Sequence, residues 1–200
     1  MRSTSLTVGP CRISYPDLFT AKESKKFPQQ GKRFKCDILI PKDSPLVQAI
    51  MEKVQLAKNE GLEKIWNGKE PKNLKMPLSD GDERDDQNYH GHYVLSPWSK
   101  EDRPPKIVDM NRVSIIDQSE IYGGVWANVN VNFYAYDNSG AGIGCGFDAG
   151  VQKVKDDTPF GGGNTSLEEA FGGPVDSNID PLTGQPRVAI NPLTGKPYEK

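Results

Sequence analysis

A run of twelve residues, Val125–Tyr136, alternates strictly between two kinds of side chain. Successive side chains of a strand point to opposite faces, so this pattern predicts one long strand with a single buried face. The apolar set is Val125, Ala127, Val129, Val131, Phe133 and Ala135, and the other set is Trp126, Asn128, Asn130, Asn132, Tyr134 and Tyr136.

The residues that follow predict that this strand forms half of a hairpin. Asp137–Gly140 consists of turn-forming residues, and Ala141–Phe147 then returns as a strand with glycine at every second position. Glycine inside a strand marks a sharp bend, a bulge or the close approach of another backbone. No helix follows these glycines, so they form neither a Rossmann loop nor a P-loop.

Two further elements precede this hairpin. Residues 32–40 alternate and predict a strand that Pro41 ends. Ser44 before Pro45 is a typical helix start, because the serine hydroxyl caps the helix and proline fits its first position. Apolar residues then recur at helical spacing. Gly61 can close the helix, and Leu62, Ile65 and Trp66 can form one further turn before Asn67.

The remaining pattern predicts a mainly β fold. Residues 67–91 are polar and predict a long surface loop, and short strands are expected near 92–98, 107–110, 113–116 and 151–155. Only 35% of the residues are hydrophobic, while 20 glycines and 16 prolines favour turns and curved strands. A small closed or partly open β-barrel with one amphipathic helix fits best, because closure removes exposed strand edges.

The core-forming pattern stops after Phe160. The segment Ile179–Pro186 recurs as Ile190–Pro197, and two copies are too few for a solenoid. We therefore expect a folded domain over 1–160 and a flexible tail over 161–200 that docks in trans. No apolar run reaches the ~18 residues of a spanning helix and no secretory leader is evident, so we expect a cytoplasmic protein with no membrane contact. Three cysteines without CxxC spacing fit unpaired thiols in a reducing compartment.

Charge is distributed unevenly along the chain. Residues 1–35 carry eight lysines or arginines against two acidic residues, whereas residues 80–86 carry five acidic residues against Arg84. Such asymmetry is typical either of a polyanion partner or of two solvated surface segments. For the acidic loop we favour a position near a binding groove, where it limits non-specific binding.

The outward side of the long strand is the strongest candidate binding surface. Aromatic rings on an open sheet stack unpaired bases at ~1–3 kcal/mol per base, amides hydrogen-bond to base edges or sugars, and cations contact phosphates. The alternative is that these rings fill a second core beneath a loop. The candidate contacts are Arg12, Arg33, Lys35, Tyr93, Trp98, Arg112, Trp126, Asn128, Asn130, Tyr134, Tyr136, Lys153 and Lys155.

The sequence offers little for catalysis, cofactors or metals. His90 and His92 lack paired cysteines, and residues 80–85 miss the calcium-loop spacing. Cys36 lies at a core position, and none of the three cysteines has an evident base partner. We therefore expect a non-enzymatic protein without a cofactor or metal. A protein-interaction scaffold that uses the same aromatic face stays open, as does a nuclease or annealing enzyme built on the acidic loop.

Several ordered motifs resemble a family of phage-encoded single-stranded-DNA-binding proteins found in siphovirus replication modules. The resemblance covers about residues 11–172. The matching stretches are Arg12–Tyr15 with Leu18–Phe19, Pro77–Asp82, Asp117–Tyr122, Asn132–Tyr136, Gly142–Gly146, Val151–Asp156 and Glu168–Phe171.

The resemblance implies an OB-fold, here a five-stranded barrel with one inserted helix and long loops. It also implies sequence-tolerant coating and protection of single-stranded DNA during replication or recombination, and self-association as a homodimer. In a bacterial host the tail would contact phage or host replication proteins. Many phage single-strand binders end in an acidic tail that competes with DNA. Here the acidic segment is internal and residues 172–200 carry a balanced charge, which does not favour such a tail.

Overall fold

The computed structural model describes residues 3–23, 31–138 and 140–161. This part of the chain contains one α-helix, three short 3-10 helices and eight strands, and none of these helices is long and apolar enough to cross a membrane. The elements are β1 (Ser5–Glu23), β2 (Lys32–Pro41), α1 (Pro45–Lys64), β3 (Leu78–Asp80), β4 (His92–Leu95), β5 (Trp98–Lys100), β6 (Lys106–Val108), β7 (Trp126–Asp137) and β8 (Ala141–Lys155). The predicted tail and its repeat lie outside the described residues.

Five strands close into a ring. Their order is β1–β7–β8–β5–β2, and an additional pairing of β1 with β2 joins the two ends. Strands β4 and β3 extend the sheet outward from β2, and β6 pairs with β8. The predicted five-stranded barrel with one inserted helix is confirmed.

Strand β1 closes the ring and was not predicted. Its first half pairs with β7 through Ser5–Arg12, and its second half pairs with β2 through Arg12–Glu23. Register shifts interrupt both ladders, and the buried side chains are spaced irregularly in consequence. A bulge adds one residue on one side of a ladder and breaks the two-residue alternation that identifies strands in a sequence.

Strand β7 supplies the middle of the barrel core. Ala127, Val129, Val131 and Phe133 are each at most 1% exposed, which confirms the predicted buried face. Asn132 departs from the pattern, because it is buried on the opposite face. The Thr4 hydroxyl donates to the Asn132 amide oxygen at 2.8 Å, and this bond offsets the cost of burying both polar groups.

Helix α1 begins where it was predicted to begin but ends later. The Ser44 hydroxyl accepts a hydrogen bond from the Leu46 amide, and Pro45 occupies the first turn. The helix continues without a break past Gly61 to Lys64, so closure at Gly61 is wrong and the further turn expected after it is part of the helix. Gly61 is instead the place where the helix approaches β7, because a Cβ there would lie 2.5 Å from the Cβ of Ala135.

Three local predictions need correction. The segment 67–91 is not only a surface loop, because it contains β3 and a short turn that buries Tyr89, whose hydroxyl donates to Asp37. Residues 113–116 form a single bridge between Val108 and Ser114 rather than a strand. The strands expected at 141–147 and 151–155 are one strand, β8, with a register shift opposite Asn130 and Val131.

We expect Gly61→Ala to destabilise the protein, although alanine normally favours a helix over glycine. The added methyl would overlap Ala135 and Trp66, so the free energy of unfolding should fall by about 1–2 kcal/mol after the propensity gain is deducted. Urea denaturation measures this change. Glu63→Ala, at an exposed position of the same helix, should stay within about 0.5 kcal/mol, and equal effects of the two variants would contradict the close packing.

Candidate nucleic-acid interface

Arg33, Trp98 and Tyr134 meet on the outer surface where β2, β5 and β8 lie side by side. The Arg33 guanidinium carbon is 3.8 Å from the centre of the Trp98 ring. Trp98 pairs with Lys35 of β2 on one side and with Gly146 of β8 on the other. The barrel ring therefore brings together three residues that lie far apart in the sequence. We call this surface the β2–β5 face.

The side chains of Tyr134 and Tyr136 extend across β8, and their rings are tilted at 54° to each other. A Cβ at Gly144 would be 2.6 Å from Cζ of Tyr134, and a Cβ at Gly142 would be 2.4 Å from the Tyr136 hydroxyl. Gly142 and Gly144 thus make room for aromatic side chains of the neighbouring strand, whereas a Cβ at Gly146 would lie nearest to the backbone oxygen of Trp98, at 3.2 Å. The two tyrosine ring centres are 6.5 Å apart.

The tyrosine beside Arg33 stays neutral. Burial raises the pKa of Tyr134 to about 12, while the nearby positive charge of Arg33 acts in the opposite direction. At neutral pH the hydroxyl is protonated, so Tyr134 adds no negative charge to a surface that carries cations.

Lysines border the β2–β5 face. The Lys35 side chain is 52% exposed, and its ammonium makes a long ion pair at 3.9 Å with the mostly buried Asp17. Lys32 is 3.6 Å from Glu101, and both side chains are more than half exposed. An open cleft of about 550 Å³ lies beside Lys32 and Glu101. Its lining residues are Gly31, Lys32, Arg33, Trp98, Lys100, Glu101 and Asp102. Lys32 and Lys100 are candidate contacts that the sequence analysis missed.

Trp126 belongs to a different cluster at the far end of β7. Eight residues of strand separate it from Tyr134, about 27 Å at the usual rise. Its indole N–H donates to Asp157 at 2.7 Å, and the Lys155 ammonium lies 4.9 Å from its ring centre. The structure therefore does not bring Trp126 together with Tyr134 and Tyr136 in one stack.

The cations of this second cluster already have acidic partners. Lys153 bonds to Glu120 and is 2.8 Å from Asp156, and its side chain is only 11% exposed. Arg12 is 3.7 Å from Asp157. Hydrogen bonds from Lys153 and then Tyr122 lower the pKa of Asp156, and the bond from Trp126 lowers that of Asp157, so both carboxylates stay charged near neutral pH.

The two candidate asparagines make bonds within the barrel. The Asn128 amide nitrogen donates to Gln152 at 3.1 Å, and the Asn130 amide nitrogen donates to Thr7 at 2.9 Å. The Asn130 oxygen accepts from the Ala149 backbone at 3.0 Å, beside the register shift of β8. These amides organise the outer side of the β7 ladder.

Two other candidates lie outside the β2–β5 face, and the turn of Arg112 adjoins the Trp126 cluster, because Asp109–Asn111 line one cleft with Lys153 and Lys155. Tyr93 is on β4, with the Lys42 ammonium 5.4 Å from its ring centre. Arg112 has a φ of 65° in the turn after β6.

The acidic loop is attached to the barrel by ion pairs. Lys42 is 2.6 Å from Asp80 and 2.8 Å from Asp82. Arg84 is 2.8 Å from Asp37, which lies two residues beyond Lys35 on β2. The acidic loop therefore contacts β2, one of the strands that form the β2–β5 face.

The thiols are poorly suited to nucleophilic chemistry. Cys11, Cys36 and Cys145 are buried and unpaired. Burial raises the pKa of Cys11 to about 11 and that of Cys36 well above its ordinary value, so these thiols are protonated near neutral pH. Across residues 3–23, 31–138 and 140–161, no group of three His, Cys, Asp or Glu side chains is placed to hold a metal ion.

Comparison with known proteins decides the family. A family model described as "Enterobacter phage Enc34, ssDNA-binding protein" matches residues 4–181. The chain belongs to this family. Protein p50 of Acyrthosiphon pisum secondary endosymbiont phage 1 is 32% identical over 167 residues, which cover 79% of this chain and 88% of that protein.

Solved structures of the Enc34 family share the fold. The single-stranded DNA-binding protein from bacteriophage Enc34 in complex with ssDNA has a TM-score of 0.68 at 25% identity, and covers 80% of this chain and 91% of its own. Another structure of the same phage protein has a TM-score of 0.64 at 26% identity, and covers 85% of this chain and 91% of its own. Bacteriophage T7 gp2.5, at 20% identity, has a TM-score of 0.55 and covers 86% of this chain and 98% of its own, which shows the fold alone.

A double-mutant cycle tests whether the Tyr134 ring lies on β8. Gly144→Ala should lower the free energy of unfolding by about 1–3 kcal/mol, because the methyl would overlap the ring. In a Tyr134→Ala background the same change should be neutral or stabilising, since alanine has less backbone entropy to lose than glycine. Equal destabilisation in both backgrounds, measured by urea denaturation, would show that the ring lies elsewhere.

Proposed function

We propose that this chain binds single-stranded DNA on the β2–β5 face. Bases stack on Trp98 and Tyr134, and phosphates contact Arg33, Lys32 and Lys35. The observation that carries the proposal is the guanidinium of Arg33 stacked on Trp98 beside the neutral ring of Tyr134, at the border of an open cleft. Flat rings next to cations are the usual means of binding unpaired strands without base preference.

The topology of the barrel supports this placement. In OB-folds, oligonucleotides bind on the face of the second and third barrel strands, near the loops that follow the first and fourth. In this chain the corresponding ring strands are β2 and β5, and the turn from β7 to β8 follows the fourth strand. Tyr134 and Tyr136 precede that turn, so they adjoin the same face.

The charge arrangement favours the β2–β5 face over the Trp126 cluster. Lys32 makes a long ion pair in solvent, which a phosphate can replace at little cost. Lys35 is half exposed, and its partner Asp17 is also paired with Lys22, so Asp17 keeps a partner when Lys35 contacts a phosphate. Lys153 is only 11% exposed and already has two acidic partners, and Arg12 is held by the Gly124 carbonyl as well as by Asp157. A phosphate would have to displace these groups. The proposed contact set is therefore Arg33, Lys35, Trp98, Tyr134 and Tyr136, joined by Lys32 and Lys100.

The biological role follows from sequence-tolerant binding. We propose that the chain coats and protects single-stranded DNA during phage replication or recombination in the host cytoplasm, without catalysis. We further propose a domain over 1–160 that self-associates as a homodimer, and a tail over 161–200 that contacts phage or host replication proteins. Sedimentation with and without oligonucleotide tests the dimer, and deletion of residues 162–200 tests the tail.

Trp98→Ala should weaken binding of a dT oligonucleotide by about 1–3 kcal/mol, roughly 5- to 150-fold in Kd, because a stacking platform is lost. Trp126→Ala is the matched control, since its indole is held by Asp157 at the other end of β7. We expect this control to bind nearly as tightly as the wild type in fluorescence anisotropy. A larger loss for Trp126→Ala would place the bases at that end, and no binding by the wild type would exclude the proposed function.

Lys35→Ala should reduce the salt dependence of binding. Each phosphate contact on a single strand contributes ~0.7 to the slope of log K against log salt, so the slope should fall by about that amount. Lys64→Ala, at the exposed end of α1, is the control and should leave the slope unchanged. Titrations at several salt concentrations give both slopes, and an unchanged slope for Lys35→Ala would remove this residue from the phosphate path.

A further inference from the structure

Tyr15 adopts a backbone conformation that bulky side chains avoid. Its φ is 44°, and its side chain is 63% exposed to solvent. A non-glycine residue in this region costs free energy, and such residues are concentrated at functional sites. The Tyr15 ring lies outside the core, so core packing does not explain why an aromatic residue occupies this position.

A bulge in β1 causes this conformation. Ser14 pairs with Asp37 and Asp17 pairs with Lys35, so Tyr15 and Pro16 are left without partners between them. A bulge re-aims the side chain of its extra residue. The bulge places Tyr15 two residues from Asp17, the partner of Lys35, which borders the β2–β5 face.

Tyr15 and Phe160 line one cleft. Ser14, Pro16, Asp86 and Gly123 also contribute to this cleft, whose volume is about 240 Å³. This volume is below the ~300–1,000 Å³ of sites for drug-sized ligands, and it suits a single planar ring better than a larger molecule.

Phe160 is held firmly in the wall of this cleft. Its ring centre is 4.1 Å from the guanidinium carbon of Arg12, and its backbone N–H donates to the Gly123 carbonyl at 2.7 Å. Arg12 is itself fixed, because its Nε donates to the Gly124 carbonyl at 2.9 Å. A binding wall held in place before the ligand arrives loses little entropy on binding.

The charge of the cleft selects a base rather than a phosphate. Asp86 is the only charged residue among the described residues that line it, and a carboxylate repels a phosphate. Asp86 already accepts hydrogen bonds from the backbone and side chain of Asn88. The positive charge for the phosphates lies outside the cleft, on Lys35, which pairs with Asp17 at the other end of the bulge.

We infer that the cleft between Tyr15 and Phe160 is a second subsite, which takes one unpaired nucleobase of the strand bound on the β2–β5 face. The inference rests on the proposed function and extends the path of the DNA over the bulge of β1. In this arrangement Arg12 is a positioning residue, because it supports Phe160 and does not contact the base.

The test compares strands with and without bases. Tyr15→Ala should weaken binding of a dT oligonucleotide about 5- to 100-fold in fluorescence anisotropy, because one stacked base is lost. Binding of an abasic strand of the same length should not change, since its phosphates are intact. Tyr15→Phe should bind dT like the wild type, because it keeps the ring.

Two controls separate a binding defect from misfolding and from failure of the proposed function. Tyr15→Gly removes the ring at a backbone conformation that glycine tolerates, so its melting temperature should not fall while its dT binding weakens like that of Tyr15→Ala. If Trp98→Ala weakens binding and neither Tyr15 variant does, the second subsite is excluded and the β2–β5 face stands. Equal losses on dT and abasic strands would also overturn it.

Discussion

Closure of the barrel by β1 is the constraint on which the other features depend. This strand pairs with β7 along its first half and with β2 along its second, so the ring has no free edge between them. A five-stranded ring is narrow, and its interior is filled by side chains alone. The alternate apolar residues of β7 fill it, and their neighbours must therefore point outward. Closure also sets β5 beside β8, which brings Trp98 next to Tyr134.

Much of this fold could be predicted from local pattern. The alternation of β7, the Pro-terminated β2 and the Ser44–Pro45 helix start each depend on residues close together in the sequence. Strand β1 could not be predicted in this way, because its bulges break the alternation that marks a strand. Closure of α1 at Gly61 was predicted wrongly for a related reason. The glycine is required by its close approach to Ala135 on a distant strand, and it does not terminate its own helix.

The residue types of the candidate site could be predicted from the sequence, but which of these residues lie next to one another could not. Sequence parity placed Tyr134 and Trp126 on one outward face, and the structure confirms that neither side chain is in the barrel core. Sequence parity does not reveal that the Trp126 indole donates a hydrogen bond to Asp157 whereas the Tyr134 ring lies across Gly144. Those contacts depend on the register between strands. An aromatic side chain can therefore be outward-facing and still serve the packing of its own protein.

The most direct test of binding on the β2–β5 face is backbone amide NMR of the isotope-labelled protein, with and without a dT oligonucleotide. Binding there predicts that the amides whose shifts change most belong to β2, β5 and the residues on either side of the β7–β8 turn, with smaller changes at the start of β7 and in α1. Shift changes concentrated around Trp126, Lys153 and Asp157, with β2 and β5 unaffected, would contradict it.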